Sequence, residues 1–271
     1  MQFTLEFYMQ VLRILFLALW LAASALADLR VGTLNCFFLV DPARPGEGQL
    51  QAKTPAPEIY VKKVENLSSL LGDLDFVGLQ EIGSEREASA LARLGSYTVR
   101  FAQGKDTYTG QDVAALVRNR PDLSVNESGR SDALESLSKH LVVRLTESGN
   151  RYCVLVVHLI RPIGKNADKH ARQLTDIRAW VADQRANDPK LTIIVLGDFN
   201  NGGPDLLPLT DSGRTSSFAA THQDGKAIDR IFTSGHLTDL MVTAPPIPRR
   251  ANKTLLASWT DHFLVSGTVA P

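Results

Sequence analysis

Short apolar runs of strand length recur along the chain after residue 27. Leu29–Asn35, Asp75–Glu81, Asp112–Arg118, His140–Leu145, Tyr152–His158, Leu191–Gly197, Ala227–Thr233 and His262–Thr268 are rich in Val, Ile and Leu. Gly, Pro, Asn or Asp bounds them, as expected of buried strands. Three stretches of helical period interleave. Pro57–Leu71 places Ile59, Val61, Val64, Leu67, Leu70 and Leu71 near helical spacing, Glu85–Leu94 is shorter, and Ala167–Arg185 gathers Ala171, Leu174, Ile177 and Val181 on one face. Strands outnumber helices and several follow one another directly, which predicts two packed sheets with helices on their outer faces. Asp41–Ala56, Gln103–Gln111 and Pro245–Lys253 are polar, with Pro or Gly in each, and read as surface loops. Loops of this length are often binding loops, and as often solvated excursions.

The first 27 residues do not share this pattern. Arg13 precedes an almost unbroken apolar run, Ile14–Ala23, and Ala25-Leu26-Ala27 offers small residues where a signal peptidase needs them. The expectation is a signal peptide over residues 1–27 cleaved before Asp28, with Met9 as an alternative start, and a secreted or periplasmic domain over 28–271. The competing reading is a membrane anchor from Val11 to Ala27, near the ~17-residue lower limit for a spanning helix. Composition adds exclusions. The 271 residues are 44% hydrophobic and 21% charged, which excludes a disordered tail, a collagen-like fibre and a multi-pass membrane protein. Balanced charge, 29 basic against 29 acidic residues, argues against bulk electrostatic capture of nucleic acid but leaves room for a local basic patch. Two cysteines cannot staple a domain of this size. Cys36 and Cys153 fall at opposite ends of their strands, so both are expected to be buried free thiols.

Charged and polar groups are costly inside apolar strands, yet here they recur at strand ends. Asn35 closes RVGTLN, Glu81 closes FVGLQE and His158 closes VLVVH; Asp198 and Asn200 follow TIIVLG, Asp229 lies in AIDRIF, and Asp261-His262 precedes FLV. Each has a bland alternative: a turn at Gly197–Gly203, a helix cap at Glu81, a strand cap at Asp261, a core histidine at His158. Together, at one edge of a sandwich, they would line a single pocket.

The ordered set Asn35, Gln80-Glu81, His158, Gly197-Asp198-Phe199-Asn200, Ile228-Asp229 and Asp261-His262 resembles the endonuclease/exonuclease/phosphatase superfamily. The resemblance runs from Leu29 to Val269, and Asp229–Ile231 with Val156-Val157-His158 is closest in style to the deoxyribonuclease I-like branch. It implies a four-layered α/β sandwich, two mainly antiparallel sheets flanked by helices, and a metal-dependent phosphoric-ester hydrolase. Two departures stand out: Thr260 replaces the usual Ser before Asp-His and keeps the hydroxyl, and Arg230 stands where many relatives have an aromatic residue. The long aromatic hairpin of sphingomyelinases and the extended signatures of inositol phosphatases have no counterpart; Trp259 is a single candidate membrane aromatic.

By this resemblance Asn35, Glu81 and Asp261 would hold Mg2+, or Mn2+ or Ca2+, while His158, Asp198, Asn200, Asp229 and His262 would be catalytic. The chemistry is in-line attack of water on a phosphodiester, whose transition state requires positive charge and hydrogen-bond donors. Asp229 would orient His262, Asp198 would orient or deprotonate the water, Asn200 would steady a phosphoryl oxygen, and His158 would assist the leaving oxygen. Which histidine is the acid stays open. Arg118, Arg120 and Arg161 are candidate phosphate contacts. Arg161, Lys165, Lys169 and Arg172 read equally as a basic collar able to hold a nucleic-acid backbone and as a solvated helix start, and Arg249, Arg250 and Lys253 could form a second part of such a collar. His140, His170, His222 and His236 are read as structural. The substrate is expected to be nucleic acid; a lipid or small phosphoester, and a non-catalytic binding module, are the alternatives.

Overall fold

The computed structural model describes residues 28–43, 53–201, 207–212, 220–248 and 256–271. The expected signal peptide, Arg249, Arg250 and Lys253 lie outside the described residues. The strands are β1 (Leu29–Leu39), β2 (Phe76–Ile82), β3 (Tyr97–Ala102), β4 (Asp112–Arg118), β5 (Leu123–Gly129), β6 (His140–Glu147), β7 (Asn150–His158), β8 (Thr192–Asp198), β9 (Thr210–Asp211), β10 (Asp229–Thr233), β11 (His236–Thr243) and β12 (Leu264–Ala270). The helices are α1 (Pro57–Leu71), α2 (Glu85–Gly95) and α3 (Ala167–Asn187). No described helix is long and apolar enough to cross a membrane.

Two six-stranded sheets form, in the orders β11-β12-β1-β2-β4-β3 and β5-β6-β7-β8-β10-β9. Each contains one parallel pair, β1/β2 and β7/β8. Parallel neighbours need a long crossover, and α1 and α3 supply it. The strands expected from the apolar runs are all present, with ends shifted by a few residues. Four further strands, β3, β5, β9 and β11, lacked a clear apolar run, and they are the four sheet edges. Edge strands are half solvated, so their sequences carry weak patterning; β5, LSVNESG, has one buried residue.

Side-chain alternation sorts the apolar residues into three layers. Val31, Phe76, Val113, Ala115, Val154, Val156, Ile194, Leu196 and Ile231 pack between the sheets. Leu34, Cys36, Val77, Leu79, Ala114 and Leu116 face outward onto α1 and α2, and Cys153, Leu155, Val157, Ile193 and Val195 onto α3. This is the four-layered sandwich. Cys36 and Cys153 are free, buried, and separated by both sheets, as expected.

The inward rows also build the site. Counting in twos, Val31 leads to Asn35, Val154 and Val156 lead to His158, Ile194 and Leu196 lead to Asp198, and Ile231 leads back to Asp229. Because β10 runs antiparallel to β8 with Asp229 opposite Asp198, a strand start and a strand end meet at one edge. Gly197 makes this convergence possible. Its φ is +144°, and a Cβ there would lie 1.9 Å from the Val157 carbonyl oxygen. Gly197→Ala is therefore expected to destabilise the fold by roughly 3 kcal/mol or more, read as a lower urea midpoint; a midpoint within error of the parent would refute this.

Candidate active site

Asn35 spans the two sheets. Its Nδ2 donates to Glu81 Oε1 at 3.1 Å and to Asp198 Oδ2 at 3.0 Å, and its Oδ1 accepts from the Phe37 amide at 2.9 Å. Glu81 sits at an irregularity between Gln80 and Ile82 where the β2/β4 register shifts. With φ +58° it departs from the strand alternation, and its Oε2 accepts from the Phe38 amide at 3.2 Å. The helix-cap alternative for Glu81 does not hold, because Ser84 caps α2. Phe37, Phe38, Glu81 and Asn200 all have positive φ. Non-glycine residues held there cost about 1–3 kcal/mol each and persist where surrounding bonds over-determine them. One such bond comes from buried Lys63 on α1, whose Nζ donates to the Phe37 carbonyl.

Across from Asn35, His262 Nδ1 lies 2.9 Å from Asp229 Oδ2, and His262 Nε2 lies 3.9 Å from Asp198 Oδ2. Thr260 ties this loop to β1: its Oγ1 donates to the Asn35 carbonyl at 2.7 Å and accepts from the His262 amide at 3.0 Å. The Thr-for-Ser departure thus keeps a hydroxyl that is in use. Arg230 points the other way along β10, and its buried guanidinium is matched by Asp211 at 2.6 Å. His158 Nε2 faces Asp198 Oδ2 at 3.7 Å and Glu81 Oε1 at 3.9 Å. Asn200 takes its turn by donating its amide to Asp198 Oδ1 at 2.7 Å, and its Nδ2 reaches the Leu159 carbonyl at 2.9 Å.

The electrostatics separate these groups. Burial opposes charge on His262, but Asp229, by charge and hydrogen bond, and then Asp198 and Asp261 outweigh it and lift the imidazole to about 10. Burial, followed by the Asp229 charge, raises the Asp198 carboxyl to about 7. Burial, with the positive charges of Lys139 and His262, holds His158 well below its ordinary value. Near neutral pH the edge thus offers an imidazolium, a carboxyl near its midpoint and a neutral imidazole.

The donor set fits a hard divalent cation. Ligand atoms of Glu81, His158 and Asp198 lie within 4.8 Å of one another, as do those of His222, Asp261 and His262. Asp261 Oδ1 is buried with no hydrogen-bond partner, 3.8 Å from His262 Nε2. Carboxylate oxygens with a free lone pair are what such cations take.

Arg118 and Arg120 are not at this edge. β4 runs away from the site, starting at Asp112 beside Ile82 and ending at Arg118 beyond Phe76. Six residues of strand place Arg118 ~20 Å away, where it bonds the Leu74 and Gly72 carbonyls. Arg120 pairs with Asp75, Asp122 and Glu147. The opposite correction applies to His222, read from sequence as structural. Its Nε2 lies 3.2 Å from Asp261 Oδ2 and its ring stands edge-on to His262 with centroids 4.6 Å apart. His140 and His170 do bond main-chain carbonyls, of Leu137 and Phe199, and His236 lies exposed on β11. Glu81, His158, Arg161, Asn200, Asp261 and His262 line one cleft, together with Lys165 and Lys169, and the buried Asn35, Asp198 and Asp229 join it through Glu81 and His262.

A family model described as Endonuclease/Exonuclease/phosphatase family matches residues 32–270. Truncated TDP2 from Caenorhabditis elegans superposes with a TM-score of 0.67 at 15% identity, covering 90% of this chain and 98% of that one. TDP2 from D. rerio, complexed with single strand DNA product, gives 0.63 at 16% identity over 90% and 100%. The human nocturnin catalytic domain, with bound sulfate anion, gives 0.61 at 20% identity over 90% and 94%. No curated protein matches the chain by sequence.

Proposed function

Because the chain belongs to the endonuclease/exonuclease/phosphatase family, whose enzymes are metal-dependent phosphoric-ester hydrolases, we propose that it is an exported phosphodiesterase that hydrolyses nucleic acid with Mg2+ by in-line attack of water. The observation that carries this is the unbroken run of side chains from Glu81 through Asn35 and Asp198 to His262 and Asp229. Glu81 and His262 of that run line a cleft that also bears Arg161, Lys165 and Lys169.

Asp198, with its carboxyl near neutrality, orients the attacking water and accepts its proton. The His262 imidazolium, fixed by Asp229, sits where charge develops on the phosphoryl oxygens. Asn200 spends one N–H on Leu159, and its second steadies a phosphoryl oxygen. His158, held neutral, serves the leaving oxygen as a hydrogen-bond donor rather than as an imidazolium acid. Glu81, Asn35 and Asp261 would hold the cation, which when bound would neutralise charge on the phosphate. Residues 1–27 act as the export signal, checked by a mature N-terminus at Asp28.

The test is nicking of supercoiled plasmid by the mature chain with Mg2+, then with EDTA, and by Asp198→Ala. Nicking should need the metal and fall by ~10²–10⁴-fold in the variant. Folded protein that leaves plasmid intact but hydrolyses sphingomyelin or a sugar phosphoester would replace nucleic acid with that substrate.

A further inference from the structure

The cleft above the reactive edge measures about 1020 Å³, at the top of the ~300–1,000 Å³ range of small-ligand pockets. Its walls include residues of the 103–111 loop and of the segment from Ile160 to Lys169. Two of the cleft's cations are matched, Lys139 by Asp106 at 3.2 Å and Lys226 by Asp224 at 2.6 Å. Lys105 in the loop and Arg161, Lys165 and Lys169 in the segment form no ion pair among the described residues. Unmatched cations in both stretches fit a ligand with phosphates on either side of the reacting one.

The 103–111 loop also carries Tyr108, 74% exposed. That exposure comes from a pinned loop. Asp106 Oδ1 accepts from the Tyr108 and Thr109 amides at 3.2 and 3.1 Å, Asp106 Oδ2 accepts from Thr109 Oγ1 at 2.6 Å, and the Asp106 carbonyl accepts from the Gly110 amide at 3.0 Å. Asp106 is tied in turn to buried Lys139, which also donates to Gln111. The other aromatic rings of the cleft are half-buried and have ammonium groups beside them: Lys63 Nζ is 5.4 Å from the Phe37 centroid and Lys53 Nζ 5.5 Å from that of Phe38. Tyr108 is the cleft aromatic presented to solvent on a pre-ordered support. An aromatic face in such a position takes an unpaired base; in a duplex the base faces are already covered by neighbours.

Resting on the nucleic-acid reading above, we propose that Tyr108 is a base-stacking contact that selects single-stranded polynucleotide over duplex, with Lys105 and the Arg161–Lys169 wall following the backbone.

The experiment compares the full chain with Tyr108→Ala and Tyr108→Phe on a single-stranded oligonucleotide, on the same sequence as duplex, and on bis(p-nitrophenyl) phosphate, which has no base. Tyr108→Ala should raise KM for the single strand by about 5- to 150-fold and lower the single-strand to duplex ratio of kcat/KM by a similar factor; Tyr108→Phe should keep most of both. Tyr108 is exposed, so melting temperatures should agree closely. A Tyr108→Ala protein that cleaves the oligonucleotide with parental KM and parental preference overturns the inference and leaves the nuclease reading standing. Hydrolysis of bis(p-nitrophenyl) phosphate with neither DNA cleaved overturns the nuclease reading itself. Loss of hydrolysis of sphingomyelin vesicles in Tyr108→Ala, with DNA untouched, would instead make this loop a lipid contact.

Discussion

Asp229→Asn should cost about 10³- to 10⁴-fold in kcat while leaving the fold intact. The carboxamide is nearly isosteric, and the Thr221 hydroxyl accepting from the Asp229 amide at 2.9 Å is independent of the side chain. What disappears is the charge that keeps His262 protonated. With burial no longer outweighed by that carboxylate, the imidazole falls from about 10 towards or below its ordinary 6.5. In the Ser-His-Asp triad, exchanging the buried carboxylate for a carboxamide costs about 10⁴-fold in kcat, and here both Asp229 oxygens lie close to His262 Nδ1, at 2.9 and 3.1 Å. The alkaline limb of the kcat/KM profile should therefore move from near pH 10 in the parent to neutral pH or below in the variant. A variant that loses less than tenfold and keeps the alkaline limb would show that His262 does not act as an imidazolium.

The same dyad links stability to pH. An imidazole at 6.5 unfolded and about 10 folded adds stability that is complete below pH 6.5 and is lost as the pH rises through 10. Asp198 has the same sign: raised from 3.8 to about 7, it favours the fold fully below 3.8, and the contribution goes as the pH rises through 7. Urea midpoints of the parent should decline from pH 7 to pH 10, and Asp229→Asn should flatten that decline. An equal slope in both proteins would place the titrating group elsewhere.

Much of the site was legible because its chemistry lies at the ends of apolar runs. Asn35, His158, Asp198 and Asp229 each extend an inward-facing row of a strand the sequence already marked, so alternation alone delivers them to the space between the sheets. Strand direction relative to that edge carries no local signal. Arg118 ends an apolar run just as His158 does, but β4 is antiparallel to β2, and its basic end lies on the far side. His222 failed for a different reason. It sits in no periodic segment, and the bridge that brings it to His262 spans a separation in sequence that no spacing rule covers. The edge strands were invisible because half-solvated strands need little apolar sequence. Glu81 was legible as a residue but not as a conformation, since its positive φ depends on the register shift and on the Phe38 amide.

Arg120→Ala should destabilise the protein by about 3–5 kcal/mol at pH 7 without weakening substrate binding. Arg120 is a structural cation at the end of the sandwich away from the cleft. Its Nη1 lies 2.7 Å from Asp75 Oδ1 and its Nη2 2.5 Å from Glu147 Oε1, both acids fully buried or nearly so. Removing one partner of a buried ion pair leaves uncompensated charge, which costs far more than the intact pair contributes. Arg30 remains near Asp75, at 3.5 Å, but no other described salt bridge reaches Glu147. Burial already raises the Glu147 carboxyl against the pull of Arg120, and loss of the guanidinium should raise it further. A carboxyl raised in the folded state favours folding at low pH and loses that contribution as the pH rises through its folded value. The penalty of Arg120→Ala should accordingly be largest at pH 7 and shrink towards pH 5, measured as the difference in urea midpoint from the parent. Arg161→Ala should behave in the reverse manner, with an unaltered midpoint, a higher KM and a shallower salt dependence of polynucleotide cleavage, as expected of an exposed cation on the cleft wall. An Arg120→Ala enzyme with parental stability and a raised KM would instead return this arginine to the substrate side.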